Sequence, residues 1–292
     1  MSEERLAPGL YLVATPIGNL EDMTLRALRV LRSVDRIACE DTRQTQKLLN
    51  HFDIKTPTVS YHMHNEGVRA EELIAQLKDG ARIAVVSDAG TPGIADPGQE
   101  IVSAAIAAGV MVYPVPGANA AISALVGSGL STERFSFGGF LPAKEGQRRT
   151  ALEELRERSG EEDGGTWVFY EAPHRIVETL KDIEAVFGAA QHVVLARELT
   201  KVHEEFLRGP VGEVYAELGG RPSVRGEFVL MFVPVVQEDE AGAVRSIADE
   251  VEALVKGEGL SEKDALKRVA RERGMGKSEA YRELQREQAR RR

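Results

Sequence analysis

Cysteine is all but missing from this sequence: Cys39 is the only one among 292 residues. That excludes a disulfide within the chain and a cluster of cysteine metal ligands. Long apolar runs are missing too, because Gly, Pro or a charged residue breaks each one well short of a bilayer's width. The opening Met1-Ser2-Glu3-Glu4-Arg5 is polar, and no apolar signal region follows it. A cytoplasmic location and no membrane contact are expected. The glycine-rich fingerprints of P-loop nucleotide hydrolysis and of dinucleotide binding are also missing.

Positive charge is scarce over most of the chain. The formal net charge is −9, yet residues 261–292 carry eleven Lys and Arg against six Asp and Glu. The tail therefore stands at +5 and residues 1–260 at −14. An acidic body with a basic tail suits a protein that meets a nucleic acid through the tail. Solubility alone accounts for a basic helix equally well. The length suits two modest domains and an appendage.

What is present is an alternation of short apolar runs with helical patterns. Strands at Leu10–Ala14, Arg36–Cys39, Thr58–Tyr61, Ile83–Val86 and Met111–Val115 interleave with helices at Leu25–Leu31, Thr42–His51, Glu66–Lys78 and Gly98–Ala108. That order predicts a mostly parallel, doubly wound α/β sheet over residues 1–117. A second α/β domain over residues 118–236 opens with the small-residue helix Ala118–Gly127. Its strands are expected at Phe135–Phe137, Thr166–Tyr170, His192–Ala196, Glu204–Arg208 and Glu227–Val233, and its other helices at Gly146–Glu157, Pro173–Phe187 and Val211–Leu218. Several links are short, which predicts a mixed sheet. The polar stretch Gln237–Gly242 leads into a basic helical module, 237–292, with helices expected at Ala243–Val255, Ser261–Arg273 and Lys277–Gln288. Ser261 suits an N-cap and Gly274 a stop, and the last two helices resemble a helix-turn-helix.

Open parallel sheets bind ligands at the carboxyl ends of their strands, so the segments that follow the strands matter most. The first strand leads into Thr15-Pro16-Ile17-Gly18-Asn19-Leu20, where Pro16 removes an N–H that a pyrophosphate site would use. The second leads into Glu40-Asp41-Thr42-Arg43. Asp41 or Thr42 can cap the next helix, which leaves Glu40 and Arg43 for a ligand. The fourth leads into Ser87–Gly98, with three glycines and two prolines, a rigid loop that a ligand can approach closely. Asp96 reads as the cap of the following helix, with Pro97 in its first turn. Asp88 has no such duty and can bind ribose hydroxyls or face a sulfonium. Small residues follow the fifth strand, in Pro116-Gly117-Ala118-Asn119-Ala120-Ala121. In the second domain, Phe169-Tyr170-Glu171-Ala172-Pro173-His174-Arg175 gathers an aromatic, a carboxylate, an imidazole and a guanidinium. Glu171, His174 and Arg175 suit acid–base or phosphate work. Arg197–Lys201 can touch phosphates or form an ordinary solvated charge run. No His, Asp and Glu grouping has convincing metal spacing, and the pair His62 and His64 is discounted.

Taken in order, the segments Thr15–Leu20, Glu40–Arg43, Ser87–Gly98, Pro114–Asn119 and Phe169–Arg175 resemble the ribosomal RNA small subunit methyltransferase I family, within the tetrapyrrole-methylase-like superfamily. The likeness runs from about residue 9 to 234, and the basic C-terminal helices resemble that family's extra module. The resemblance implies two α/β domains flanking a cleft for S-adenosylmethionine. Carried over by position, the cofactor-binding residues are Pro16, Asp88, Ala89, Gly90, Ile94, Ala95, Ala118, Phe169 and Ala172. It further implies a homodimer, and small-subunit ribosomal RNA or the assembled small subunit as partner. The products are a 2′-O-methylated cytidine and S-adenosylhomocysteine. Thr-Pro-Ile-Gly-Asn stands where porphyrin-making relatives carry a glycine-rich, acidic loop, which argues against a tetrapyrrole substrate.

Methyl transfer to a ribose hydroxyl needs positioning and a proton acceptor. The catalytic candidates are Glu171 or His174 as the base, with Arg175 or Arg43 holding the neighbouring phosphate. No metal is expected, because the cofactor carries the chemistry. The basic tail and Lys144–Arg149 are candidates for phosphate contacts. Two other readings stand beside this one. A tetrapyrrole or other small-molecule methyltransferase leaves the basic tail without a task. A non-catalytic nucleic-acid-binding protein leaves the Ser87–Gly98 loop unexplained.

Overall fold

A computed structural model describes residues 6–62, 66–159, 165–235, 247–258, 260–273, 275–276, 280–281 and 284. The first half alternates strand and helix: β1 (Gly9–Val13), α1 (Leu25–Ser33), β2 (Arg36–Cys39), α2 (Thr42–His51), β3 (Thr58–Ser60), α3 (Glu66–Lys78), β4 (Arg82–Val86), α4 (Gln99–Ala107) and β5 (Val112–Val115). The sheet order is β3-β2-β4-β1-β5 and every pairing is parallel. Both faces are covered, as a parallel sheet requires. Tyr11, Val13, Ile37 and Cys39 pack with α1 and α2 on one side; Leu10, Ala38, Ile83 and Val85 pack with α3 and α4 on the other. The chain winds out from β1 to β3 and then returns to place β4 beside β1. The carboxyl ends of these two central strands, and so the Thr15–Leu20 and Ser87–Gly98 loops, lie together at the reversal of strand order.

Local sequence starts each helix in its own way. Thr24 caps α1 by accepting from Ala27 N at 3.1 Å. Asp41 caps α2 by accepting from Arg43 N at 2.8 Å. The expected cap of α4 is corrected: the N-cap is Gly98 at φ 147°, with no side-chain cap bond. Asp96 lies three residues before Gln99, the first of the helix, and makes no cap bond to it.

The second sheet is β6 (Phe135–Phe140), β7 (Thr166–Glu171), β8 (His192–Arg197), β9 (Glu205–Pro210) and β10 (Phe228–Phe232), in the order β6-β7-β10-β8-β9. Only β6–β7 is parallel; the other three pairings are antiparallel. Helix α5 (Ala120–Ser128), capped by Asn119, packs with Val168, Val194, Ala196, Val229 and Met231 on one face. The helices α6 (Glu145–Ser159), α7 (Ile176–Phe187) and α8 (Val211–Gly219) cover Phe169, Val193, Leu195, Phe228, Leu230 and Phe232 on the other. Strand periodicity of two assigns these sets. Pro173–Arg175 form a turn before α7 rather than its first turn.

The chain divides into two compact units, 1–236 and 237–292. In the second, α9 (Ile247–Glu258) and α10 (Glu262–Glu272) share a core of Ile247, Val251, Ala265, Val269, Ala270, Ala280 and Leu284. Ser261 caps α10 by accepting from Asp264 N at 3.2 Å. The stretch Gln237–Gly242, the stop at Gly274 and most of the expected helix 277–288 lie outside the described residues.

Candidate functional site

A cleft of about 500 Å³ opens where the first sheet's strand ends meet the second sheet. Ile17 lines it from the first loop, Asp88, Ala89, Gly90, Thr91, Ile94, Ala95 and Asp96 from the fourth. An isolated antiparallel bridge ties the two loops: Thr15 N donates to Gly90 O at 2.9 Å, and Gly90 N to Thr15 O at 3.0 Å. Gly90 sits at φ 79°, in the left-handed region that glycine enters freely. Ala95 holds φ 60° without being glycine, a conformation that costs about 1–3 kcal/mol and gathers at ligand sites. Ala120, Phe140, Tyr170–His174, Ala196, Leu199 and Glu227–Val229 complete the wall.

Of the expected cofactor residues, Asp88, Ala89, Gly90, Ile94, Ala95 and Ala172 line this space. Pro16 and Ala118 are not part of the lining; Ala118 O accepts from the lining residue Thr91, Oγ1, at 3.1 Å. Phe169 is a correction. It is 4% exposed and packs between Trp167 and Phe232, on the helix-covered face. Its ring also fills the room of a side chain at Gly138, where a Cβ would lie 2.2 Å away. The aromatic of this strand that lines the cleft is its neighbour Tyr170, whose hydroxyl oxygen accepts from Ala121 N at 3.3 Å.

The expected catalytic cluster separates into different tasks. Glu171 is a structural carboxylate. Its Oε1 accepts from Ala172 N at 2.8 Å and its Oε2 from Thr179 Oγ1 at 2.7 Å, and Arg175 pairs with both oxygens. A carboxyl group 1% exposed that accepts three hydrogen bonds and pairs with a guanidinium is committed to the scaffold. Arg175 also donates to Leu141 O and Pro142 O, so it ties the strand end to the β6–α6 turn and does not line the cleft. His174 does line it and is exposed. Arg43 is 87% exposed and chelated by its own Asp41. It borders the site, because Asp41 N donates to Asp88 Oδ1 at 3.1 Å. Within Lys144–Arg149, Arg148 is unavailable to a phosphate: it is 1% exposed and paired with buried Asp182 at 2.7 Å.

The loop ends concentrate negative charge. Burial and the charge of Glu40 push the Asp96 carboxyl up to about 6, with Asp88 adding and a hydrogen bond to Ser87 opposing. Burial, then the charge of Asp88, raises Glu40 as well. Burial raises the Tyr170 hydroxyl, and Asp96 adds to it. On the far side, Lys201 Nζ donates to Glu198 Oε1 at 2.8 Å and to Glu227 Oε2 at 2.9 Å. Burial opposes the Lys201 charge, but those hydrogen bonds outweigh it and hold its pKa above the ordinary value.

The sequence matches the model of the tetrapyrrole (corrin/porphyrin) methylase family over residues 9–215. It is 49% identical, over 93% of each chain, to the ribosomal RNA small subunit methyltransferase I of Halalkalibacterium halodurans. To the protein of that name from Synechocystis it is 46% identical, over 93% of this chain and 95% of that one. Among solved structures, a diphthine synthase superposes with a TM-score of 0.57 at 14% identity, covering 77% of this chain and 89% of that one. A uroporphyrin III C-methyltransferase from Thermus thermophilus gives 0.53 at 17%, covering 76% and 96%. Those two likenesses speak to the fold alone, whereas near-half identity along almost the whole length speaks to the family. The chain belongs to the ribosomal RNA small subunit methyltransferase I family of the tetrapyrrole methylases.

Proposed function

We propose that this chain transfers a methyl group from S-adenosylmethionine to the 2′-hydroxyl of a cytidine in small-subunit (16S) ribosomal RNA. The observation that carries the reading is 49% identity over 93% of both chains to a protein named for small-subunit ribosomal RNA methylation. The cleft residues fit the cofactor. The volume is that of a small-molecule site, and Ala89, Gly90, Ala95 and Ala172 leave room at its floor. The carboxylate of Asp88 in the lining suits the cofactor's ribose hydroxyls and positive charge. Asp88, Ala89, Gly90, Ile94, Ala95 and Ala172 would hold it, and bound there it supplies an activated methyl group.

The chain's own residues do the rest. Rigid loops at the two central strand ends fix the reacting geometry, and Phe140, Tyr170 and Leu199 exclude water from it. His174 and Arg43 at the rim are assigned to the incoming nucleotide and its phosphate. The basic tail of the second unit, residues 261–292, is assigned to further phosphates. A second copy of the chain is the proposed partner, supported by exposed Ile122 and Val126 on α5, at 45% and 71%. A cytoplasmic location belongs to the same reading; no described helix is long and apolar enough to cross a membrane.

The test is methyl transfer from labelled S-adenosylmethionine to small ribosomal subunits that lack the modification, with nuclease mapping of the label. Label in one ribose of the small-subunit RNA is expected. Tight cofactor binding with no label in RNA would overturn the substrate and point to a small-molecule acceptor.

A further inference from the structure

We propose that Asp96 is the group that accepts the proton of the attacking ribose hydroxyl. The inference rests on the ribose-methylation reading above and deepens it, by naming a residue that sequence patterns assign to a helix cap.

The geometry removes that cap role first. Helix α4 begins at Gln99 behind Gly98, with no side-chain cap. The left-handed turn at Ala95, φ 60°, brings Asp96 into the lining of the cleft instead. Competing carboxylates there are committed elsewhere. Glu171 is buried and held by Ala172 N, Thr179 Oγ1 and Arg175. Asp88 is exposed, and its Oδ1 accepts from Asp41 N. Glu227 reaches Lys201 Nζ at 2.9 Å and is 79% exposed. Asp96 is partly buried and has no cationic partner among the described residues. The groups that face it are Glu40 from the β2 end, Ser87 and Asp88 from the β4 end, and Tyr170 from β7. Two acids and burial raise its proton affinity, and Ser87 steadies the carboxylate. A base tuned in this way stays ionised at neutral pH yet binds a proton more tightly than an ordinary aspartate.

The step balances. The hydroxyl proton passes to an Asp96 oxygen as the ribose oxygen bonds to the methyl carbon. The carbon–sulfur bond breaks and its electron pair stays on sulfur. One cation and one carboxylate become a neutral thioether and a neutral acid, and Asp96 later returns its proton to water.

The experiment uses the full chain and small ribosomal subunits, and compares wild type, Asp96→Asn and Glu40→Gln by single-turnover rate against pH. S-adenosylmethionine affinity is measured by calorimetry beside each rate. The isosteric Asp96→Asn is expected to lower the rate about 10²–10⁴-fold while the cofactor dissociation constant changes less than about threefold, a negligible free energy. Wild type should lose rate below a midpoint near 6. Glu40→Gln should move that acid limb to lower pH, which a purely structural Asp96 would not do. An Asp96→Asn rate within about fivefold of wild type, or a loss matched by weaker cofactor binding, overturns the assignment while leaving the ribose-methylation reading intact. Absence of label with wild type itself overturns both.

Discussion

Gly18 of the first loop packs directly on Lys201: a Cβ built on Gly18 would lie 2.5 Å from Lys201 Cγ and 2.8 Å from its Cε. Lys201 cannot easily withdraw, because Glu198 and Glu227 hold its ammonium. The first loop of one sheet is thereby seated on the β8–β9 segment of the other. Gly18→Ala should cost about 1–3 kcal/mol of overpacking. It should appear as weaker S-adenosylmethionine binding, since Ile17 beside it lines the cleft. In Gly18→Ala/Lys201→Ala the lost lysine stem makes room for the new methyl, so the two penalties should not add. Strictly additive calorimetric affinities would show that the contact does not matter.

Phe169 and Tyr170 should separate stability from binding. Phe169 lies in the aromatic stack under the sheet, so Phe169→Ala should lose about 3–5 kcal/mol of stability. Urea unfolding reads that loss, and the remaining folded protein should bind cofactor as wild type does. Tyr170→Phe removes the acceptor for Ala121 N and should leave stability within about 1 kcal/mol, yet alter cofactor affinity. The opposite pattern would put the wrong ring in the cleft.

Phe169 is the position that the family resemblance implies, and the pattern of its strand does not correct it. β7 reads Thr-Trp-Val-Phe-Tyr-Glu and is covered on both faces, so no polar alternation marks which side faces the ligand. The first sheet was legible because helices and apolar runs alternate, and Ser87–Gly98 because no structural duty explains so many Gly and Pro. Asp96 was misread because Asp-Pro-Gly before a helical pattern is a good local cap; the glycine conformation at residue 98 overrode it. Ala196, Phe228 and Val229 carry no such signal, for another reason. They reach the site only because β10 inserts between β7 and β8, and strand order leaves no local trace.

The Asp96 carboxyl should titrate near 6 and that of Asp41 near 2, where Arg43 lowers it. Carboxyl carbon chemical shifts against pH give both midpoints. The raised value fixes a sign: between the ordinary 3.8 and about 6, the folded chain keeps a proton that the unfolded chain releases. Stability from this group therefore falls as pH rises through that window and is level above it. Asp88→Asn should lower the Asp96 midpoint. An unchanged midpoint would mean that Asp88 and Asp96 do not sense each other.

The buried pair Arg148–Asp182, 1% and 2% exposed, belongs to the scaffold. Asp182 also accepts from Arg149 Nε at 2.7 Å. Asp182→Ala strands a buried guanidinium and should cost about 3–5 kcal/mol. Arg148→Met/Asp182→Leu should restore most of it, because replacing both charges removes their desolvation. Denaturant midpoints decide. If the double variant is no more stable than Asp182→Ala, the pair does more than balance its own burial.

On α10, Lys263, Lys267 and Arg271 recur every fourth residue and are all exposed, so they share one face of the helix. Their spacing, about 6 Å per turn of helix, puts all three within reach of the phosphates of one extended strand. Changing the three to Gln on the full chain should leave S-adenosylmethionine affinity unchanged and weaken RNA binding. Each lost phosphate contact should reduce the slope of log affinity against log salt by about 0.7 for a single strand, so by roughly 2 in all. A wild-type slope with weakened affinity would mean that the face binds RNA by something other than charge. A wild-type slope with wild-type affinity would move the RNA track to another surface and leave the basic tail to solubility.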